Sequence, residues 1–301
     1  MANKKLIVLV MSVGPIERNG TLKWLTKIGG RANAVVVLPK QFEEHAESYT
    51  KAGVSTYVYD ERKYINDEFE YFGFKPRNCG GIGRQGIAEA TDALKTPDNL
   101  LLQMDDDTSC MSIKKRMVID GEVRWKAKSI MNFKSLEELM NAYDDFYQST
   151  GIKIQSITGA TPIGPNDLFF AARKIFNNFL MYPEDDYKYA GFRYLCSDDV
   201  LYNYTKNVVG LTPMVSICAS SIMFTQNQGD RKDGNAPLYN KDCSWKKSYS
   251  LRMFNPLLST QYIARETNRI LFRETMQYSK IYPPIMLTDS EGNITHKLEM
   301  K

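Results

Sequence analysis

Histidine is the scarcest chemically versatile residue in this chain. Among 301 residues there are two, His45 in the charged stretch KQFEEHAESY and His296 in a polar tail. A hydrolase triad needs an imidazole steadied by a carboxylate, and a zinc protease needs two on one helix face. Neither histidine sits in such a pattern, so a metal in this protein is expected on oxygen ligands. Cysteine is nearly as sparse. Cys79, Cys110, Cys196, Cys218 and Cys243 are odd in number and form no CxxC pair. That argues against zinc ribbons and redox couples, and for reduced thiols in a cytoplasmic protein.

A strong charge bias is also missing. Thirty-nine Lys and Arg against 35 Asp and Glu leave +4, which permits an anionic partner without demanding one. No long apolar run suits a membrane. The start, MANKKLIVLVMSVG, imitates a signal peptide, but no small-x-small cleavage site follows, so a buried first strand is expected. The uncharged stretch 207–229 is interrupted by Gly210, Pro213 and Gln226 and reads as buried strands and loops. With 43% hydrophobic and 25% charged residues, and no repeat or Pro-rich linker, one continuous globular domain is expected.

Strand and helix signals alternate through the first hundred residues. LIVLVMSV (6–13), AVVVLP (34–39) and VSTYVYD (54–60) read as buried strands. GTLKWLTKIG (20–29) and KQFEEHAESYTKAG (40–53) read as helices between them. Such alternation implies a largely parallel sheet, whose ligands bind at the carboxyl ends of the strands. Those ends carry Ser12, Pro39 and Asp60.

GGIGRQGIAEATDAL (80–94) then reads as a Gly-rich turn running into a helix. Its backbone amides and positive helix end suit a phosphate, and the other reading is a glycine entry packed closely on a strand. No GK[ST] follows, so it is not a Walker loop. The strand LLLQM (100–104) ends in Asp105, Asp106 and Asp107. Three adjacent carboxylates repel one another unless a cation or hydrogen bonds compensate. Strand alternation puts Asp105 and Asp107 on one side, a two-carboxylate grip for Mg²⁺ or Mn²⁺ holding a diphosphate. The other reading is a solvated acidic turn.

In the second half, Lys114 to Lys128 holds six basic and two acidic residues around a DG turn between two short strand-like pieces. FKSLEELMNAYDDFYQSTG (133–151) is a helix capped by Ser135 and Glu138. FFAARKIFNNFLMY (169–182) fits a buried strand–turn–strand or a buried helix equally well. CSDDVLYNYTKNVVGL (196–211) opens a helical stretch with Asp198 and Asp199, which suit a helix cap. Asp230 to Arg252 mixes six Lys and Arg with Tyr239, Trp245 and Tyr249, a composition suited to a phosphate backbone and an unstacked base, or to an ordinary polar loop. STQYIARETNRILFRETMQYSK (259–280) reads as a long C-terminal helix.

A nucleotide-binding α/β half, GxGRQGI at a helix start, and a strand ending in DDD about twenty residues on together resemble the GT-A glycosyltransferases. The resemblance implies an α/β, Rossmann-like mixed sheet flanked by helices, with a C-terminal helical extension. Residues 1–110 would bind the nucleotide sugar, 111–258 would form the acceptor half of the same domain, and 259–301 a helix and tail. It implies Ser12, Asp60, Arg84, Asp105 and Asp106 at the donor, and Asp105 and Asp107 on Mn²⁺ or Mg²⁺. Asp198 or Asp199 would be the base that deprotonates the acceptor, with inversion at the sugar. A retaining front-face displacement is the alternative if no base lies there.

The wider layout resembles the phage-type DNA glycosyltransferases associated with TET and JBP dioxygenases. The residues in question are VVVLP, GIGRQ, QMDDD, SDDVLY and NKDCSWKKSY. That implies glucose or arabinose transfer from a UDP-sugar to a hydroxymethylated pyrimidine in DNA, in the cytoplasm of a host cell. Other acceptors, a glycan, lipid or protein, fit the same chemistry. A non-catalytic nucleotide-binding or DNA-binding scaffold is the third reading. A nucleotide-sugar pyrophosphorylase fits less well, because MSVGPIERNG after the first strand lacks its Gly-rich arginine loop.

Overall fold

β-Branched and leucine residues near the start of the chain build the centre of a sheet that is covered on both faces. The computed structural model describes residues 4–65, 80–114, 117–119, 122–124, 130–150, 154–159, 170–171, 178–181, 214–223, 259–266, 269–276, 285–288, 291 and 293–298. In the first part of the chain the order is β1 (Lys5–Met11), α1 (Gly20–Lys27), β2 (Ala34–Pro39), α2 (Ala46–Lys51), β3 (Ser55–Tyr59), α3 (Gly80–Leu94) and β4 (Asn99–Asp105). After it come β5 (Thr108–Lys114), the hairpin β6 (Met117–Ile119) and β7 (Glu122–Arg124), β8 (Ile130–Asn132) and α4 (Leu136–Thr150). The last elements of the main sheet are β9 (Ile154–Gly159), β10 (Phe170–Ala171), β11 (Asn178–Met181) and β12 (Met214–Met223).

Strands β3, β2, β1 and β4 lie parallel in that order. Parallel strands buried on both faces read as continuous apolar runs, which is why LIVLV, AVVVL and LLLQM are so uniformly hydrophobic. The pleat divides them. Leu6, Val8 and Val10 of β1 join Val36, Leu38, Leu100, Leu102 and Met104 in one core with Leu22 and Leu25 of α1, Tyr49 of α2 and Leu139 and Tyr143 of α4. Leu9, Val37 and Leu101, of opposite parity, are equally buried on the other face, where α3 packs. Beyond β4 the sheet continues as β11, β9, β12, β5 and β8, with β11 antiparallel to β4 and β10 paired with β12. The fold is α/β with a mixed sheet flanked by helices, and the sheet runs through both halves of the chain.

Several local expectations hold. The backbone amide of Glu138 donates to Ser135 Oγ at 3.1 Å, and Glu138 Oε2 accepts from the Lys134 amide at 2.7 Å, one residue earlier than in a standard capping box. Gly53, at φ +72°, closes α2. The segment 169–182 contributes strands β10 and β11, and 207–229 contributes β12.

Three expectations are corrected. The stretch 40–53 is not one helix: Lys40–His45 is a 3₁₀ segment with a bend at Phe42 (φ −122°, ψ 23°) leading into α2. Pro39 before it offers no side-chain cap, and an uncapped start tightens readily into 3₁₀ turns. The C-terminal helix over 259–280 is instead an antiparallel hairpin, β13 (Ser259–Glu266) with β14 (Arg269–Met276). Thr260, Tyr262, Ile263, Ile270, Phe272 and Thr275 favour strands, and only Thr267 and Asn268 separate Glu266 from its partner Arg269. A second hairpin, β15 (Ile285–Thr288) with β16 (Ile294–Leu298), occupies the polar tail.

The third correction concerns the glycines. Helix α3 already begins at Gly80, so Gly83 and Gly86 are helical residues and not a turn. They are small because the sheet is close. A Cβ at Gly83 would overlap Met11 Sδ, and one at Gly86 would overlap the ring of Tyr59. Among the described residues no helix is long and apolar enough to cross a membrane.

This packing makes a test. In an ordinary helix Gly→Ala stabilises by about 0.5–1 kcal/mol. Here the rigid Tyr59 ring should reverse the sign, so Gly86→Ala should lower stability by about 1–3 kcal/mol in urea denaturation, as overpacking does. Tyr59→Leu in that background should restore part of the loss. A Gly86→Ala protein as stable as the wild type would refute the close contact.

Candidate active site

The chain runs from β1 outward through β2 to β3, then returns to place β4 on the other side of β1. At such a reversal the connections diverge and leave a crevice at the carboxyl ends of the strands. Met11 is in register with Asp105, so Ser12 and the acidic triplet lie side by side at that crevice. β4 ends at Asp105, and Asp106 and Asp107 form a tight turn into β5.

Strand parity sends the first two acids to opposite faces. Asp105 shares a face with Met11 and meets α3, where Arg84 Nη2 lies 3.0 Å from its Oδ1. Arg84 is 4% exposed. A guanidinium cannot shed its proton, so burial at this depth demands an opposing charge, and Asp105 supplies it. Asp106 turns the other way. Its Oδ2 accepts from Ser12 Oγ at 2.6 Å, and Ser12 is fully enclosed.

Beneath Ser12 lies a small buried polar network. The Tyr49 hydroxyl donates to the Gly14 carbonyl at 2.8 Å, accepts from Asn19 Nδ2 at 3.5 Å, and lies 3.4 Å from Ser12 Oγ. Burial pushes the Tyr49 phenol above its ordinary pKa, against the smaller opposing effects of Ser12 and Asn19, so it stays a neutral donor. Asn19 Oδ1 also caps α1 by accepting from the Leu22 amide at 2.9 Å.

The start of α1 holds the acidic turn through its backbone. The amides of Gly20 and Thr21 both donate to the Asp106 carbonyl, at 2.7 and 3.2 Å. Thr21 Oγ1 donates to the Asp105 carbonyl at 2.5 Å and accepts from the Thr108 amide at 3.0 Å. One threonine hydroxyl therefore ties the residue before the turn to the residue after it.

Asp60 stands further along the same edge, at the end of β3, two strands from β1 and so roughly 10 Å away at ordinary strand spacing. It caps the 3₁₀ turn Glu61–Tyr64 and accepts from Arg62 Nε and Nη2 at 2.8 and 2.9 Å. The Arg62 hydrogen bonds hold its carboxyl down to about 2. The turn is fastened to α3 by Tyr64, whose hydroxyl donates to Glu89 Oε2 at 2.6 Å, while Tyr57 donates to Oε1 at 3.2 Å.

The structure thus pairs Arg84 with Asp105 and Ser12 with Asp106 on opposite faces of one strand end, with Asp107 in the adjoining turn and Asp60 separate on the same edge. Asp198 and Asp199 lie outside the described residues, as does the basic, aromatic segment 230–252. Sequence reasoning missed Asn19, Thr21 and Tyr49. The Asn-Gly-Thr entry to α1 was a readable cap, whereas nothing in the spacing of 40–53 marks Tyr49 as the residue that reaches under Ser12.

The donor set suits a hard cation. It consists of carboxylate oxygens gathered at one strand end and the turn that follows it. Oδ1 of Asp105 and Oδ1 of Asp107 are both shielded from water. Among the described residues no group of three or more His, Cys, Asp or Glu side chains is arranged to hold an ion. A cation here would take two carboxylates and complete its shell from phosphate oxygens and water, as Mg²⁺ and Mn²⁺ do with nucleotides.

No family model matches the chain, and no curated protein does. Among solved structures it is similar to glucosyl-3-phosphoglycerate synthase from Mycobacterium tuberculosis in complex with Mn²⁺, uridine diphosphate and phosphoglyceric acid. That likeness has 7% identity and a TM-score of 0.45, covering 91% of this chain and 87% of that one. Mannosyl-3-phosphoglycerate synthase from Rubrobacter xylanophilus gives 10% and 0.39, covering 91% and 85%. A cytidylyltransferase from Leptospira borgpetersenii gives 11% and 0.38, covering 71% and 76%.

Two measurements check this geometry. Arg84→Met keeps the stem but strands Asp105, and should destabilise by about 3–5 kcal/mol, as breaking a buried pair does. Adding Asp105→Asn should recover much of that in a double-mutant cycle. For Asp60 the folded pKa lies below the unfolded value. Its stabilisation is therefore present above about pH 4 and lost only as pH falls through about 2. A carboxyl NMR titration should show Asp60 ionised at pH 3, and Arg62→Ala should return it to the ordinary aspartate range.

Proposed function

We propose that this chain is a metal-dependent glycosyltransferase of the GT-A kind. It would move glucose or arabinose from a UDP-sugar to a hydroxymethylated pyrimidine in DNA. The observation that carries the reading is the acidic turn at the sheet's switch point, backed by the buried Arg84–Asp105 pair. Adjacent carboxylates at a strand end cost stability, and a diphosphate held through a divalent cation would give that arrangement a chemical use.

Asp107, with Asp105, would hold Mn²⁺ or Mg²⁺, which when bound supplies positive charge against the departing diphosphate. Arg84 fixes the Asp105 carboxylate in orientation and takes up part of the turn's negative charge. Asp60, ionised throughout the physiological range, is suited to accept from the ribose hydroxyls of the donor. Asp198 or Asp199 would take the proton from the acceptor hydroxymethyl as its oxygen attacks the anomeric carbon, inverting it. The uridine diphosphate leaves from the opposite face. The acceptor part of the reading rests on the basic residues of 114–128 and on the cations interleaved with Tyr239, Trp245 and Tyr249. A duplex target would have to present its hydroxymethyl in the major groove or flip the base out.

The test is a transfer assay read by mass spectrometry. Hydroxymethylcytosine and hydroxymethyluracil DNA are incubated with a panel of UDP-sugars and Mn²⁺. The expected product is a hexose or pentose increment on the base, reduced about a hundredfold or more in Asp107→Asn. Metal-dependent hydrolysis of a UDP-sugar without a DNA product would move the acceptor to a glycan, lipid or protein. A folded protein that neither transfers nor hydrolyses would overturn the enzyme and leave a binding scaffold.

A further inference from the structure

The three acids of the turn are chemically alike in sequence but unlike in setting. Asp105 is held by a buried arginine, while Asp106 points to the opposite face and meets the enclosed hydroxyl of Ser12 at 2.6 Å. The backbone around them is fastened at more points than a two-residue turn needs. The Asp106 carbonyl receives two amides from the start of α1, and Thr21 Oγ1 links the Asp105 carbonyl to the Thr108 amide. Thr21 is fully buried on the first turn of α1, away from the crevice surface. A hydroxyl that both donates and accepts is required there, because a carbonyl and an amide face it from the two sides.

We propose that Thr21 and Asp106 are positioning residues for the cation site, not ligands of it. Thr21 sets the distance between the two ends of the turn, and the Ser12–Asp106 hydrogen bond sets its twist. Together they fix the turn that carries Asp107. This rests on the glycosyltransferase reading only in taking the acidic turn as the cation site, and it removes Asp106 and Ser12 from the donor contacts that the sequence suggests. The Asp106 negative charge is then dispensable so long as an acceptor oxygen faces Ser12.

Mn²⁺ binding, followed by electron paramagnetic resonance of the free ion, separates the possibilities without any turnover. Thr21→Val keeps the shape and loses the hydroxyl, and should weaken Mn²⁺ binding about 10-fold or more, the scale set by outer partners of metal ligands. Thr21→Ser keeps the hydroxyl and should stay within about threefold of wild type, well inside that scale. Asp106→Asn still accepts from Ser12 and should also stay within about threefold, whereas Asp107→Asn should abolish binding. Thermal melting of each variant accompanies the titrations. Wild-type Mn²⁺ affinity in a folded Thr21→Val protein would overturn the positioning role and leave the functional reading intact. Should Thr21→Val fail to fold, Asp106→Asn decides, since a loss matching that of Asp107→Asn would make Asp106 a ligand. Absence of Mn²⁺ binding by the wild type would overturn the cation site itself and this proposal with it.

Discussion

A buried guanidinium organises the carboxyl edge of this sheet. Arg84 has almost no access to water, so its charge has to be answered within hydrogen-bond distance, and Asp105 at the end of β4 answers it. That requirement fixes how α3 lies on the sheet, because the helix cannot rotate or slide without separating the pair. It also explains why two glycines of α3 sit against Met11 and Tyr59. The helix has to come close enough for its arginine to reach the end of β4, and side chains at those two positions would hold it off. The close packing and the ion pair are one constraint seen from two sides.

The same strand end shows how alternation converts sequence neighbours into separate tools. Asp105 and Asp106 differ by one position and therefore face opposite layers of the molecule, one toward a cation and the other toward a neutral hydroxyl network. Asp106 would repel Asp105 if both faced the crevice, and distributing them across the sheet relieves that repulsion. The neutral Tyr49 phenol and the Asn19 amide supply the inner network without adding charge.

The parallel half of the fold was legible because it is built from local signals. Strands buried on both faces must be continuously apolar, and LIVLVMSV and AVVVLP can satisfy little else. The acidic triplet stood out for a related reason, since three like charges at a strand end need compensation. What escaped was everything set by partners distant in the chain. The glycines of GGIGRQG look the same whether they form a phosphate-binding turn or a helix pressed on a sheet, and the Met11 and Tyr59 contacts that decide between them are tertiary. The stretch 259–280 carries helical spacing, yet its β-branched and aromatic residues pair across Thr267 and Asn268 as a hairpin. Thr21 lay in a helix whose apolar face was obvious, while its role depends on a turn far downstream.

Ser12 and Asp106 stand 94 residues apart in the chain. The central strand β1 leaves the ribosome before its neighbour on the crevice side, β4, which is synthesised only after β2 and β3 and the helices between them. Closing so long a loop is entropically demanding, and contacts of high sequence separation form slowly. Until β4 docks, the apolar edge of β1 stays open, and neither the Arg84–Asp105 pair nor the Ser12–Asp106 hydrogen bond can form. The crevice is therefore among the last features of this half to be completed during biosynthesis, and truncated or stalled chains ending before β4 would carry an exposed parallel edge and lack the acidic turn.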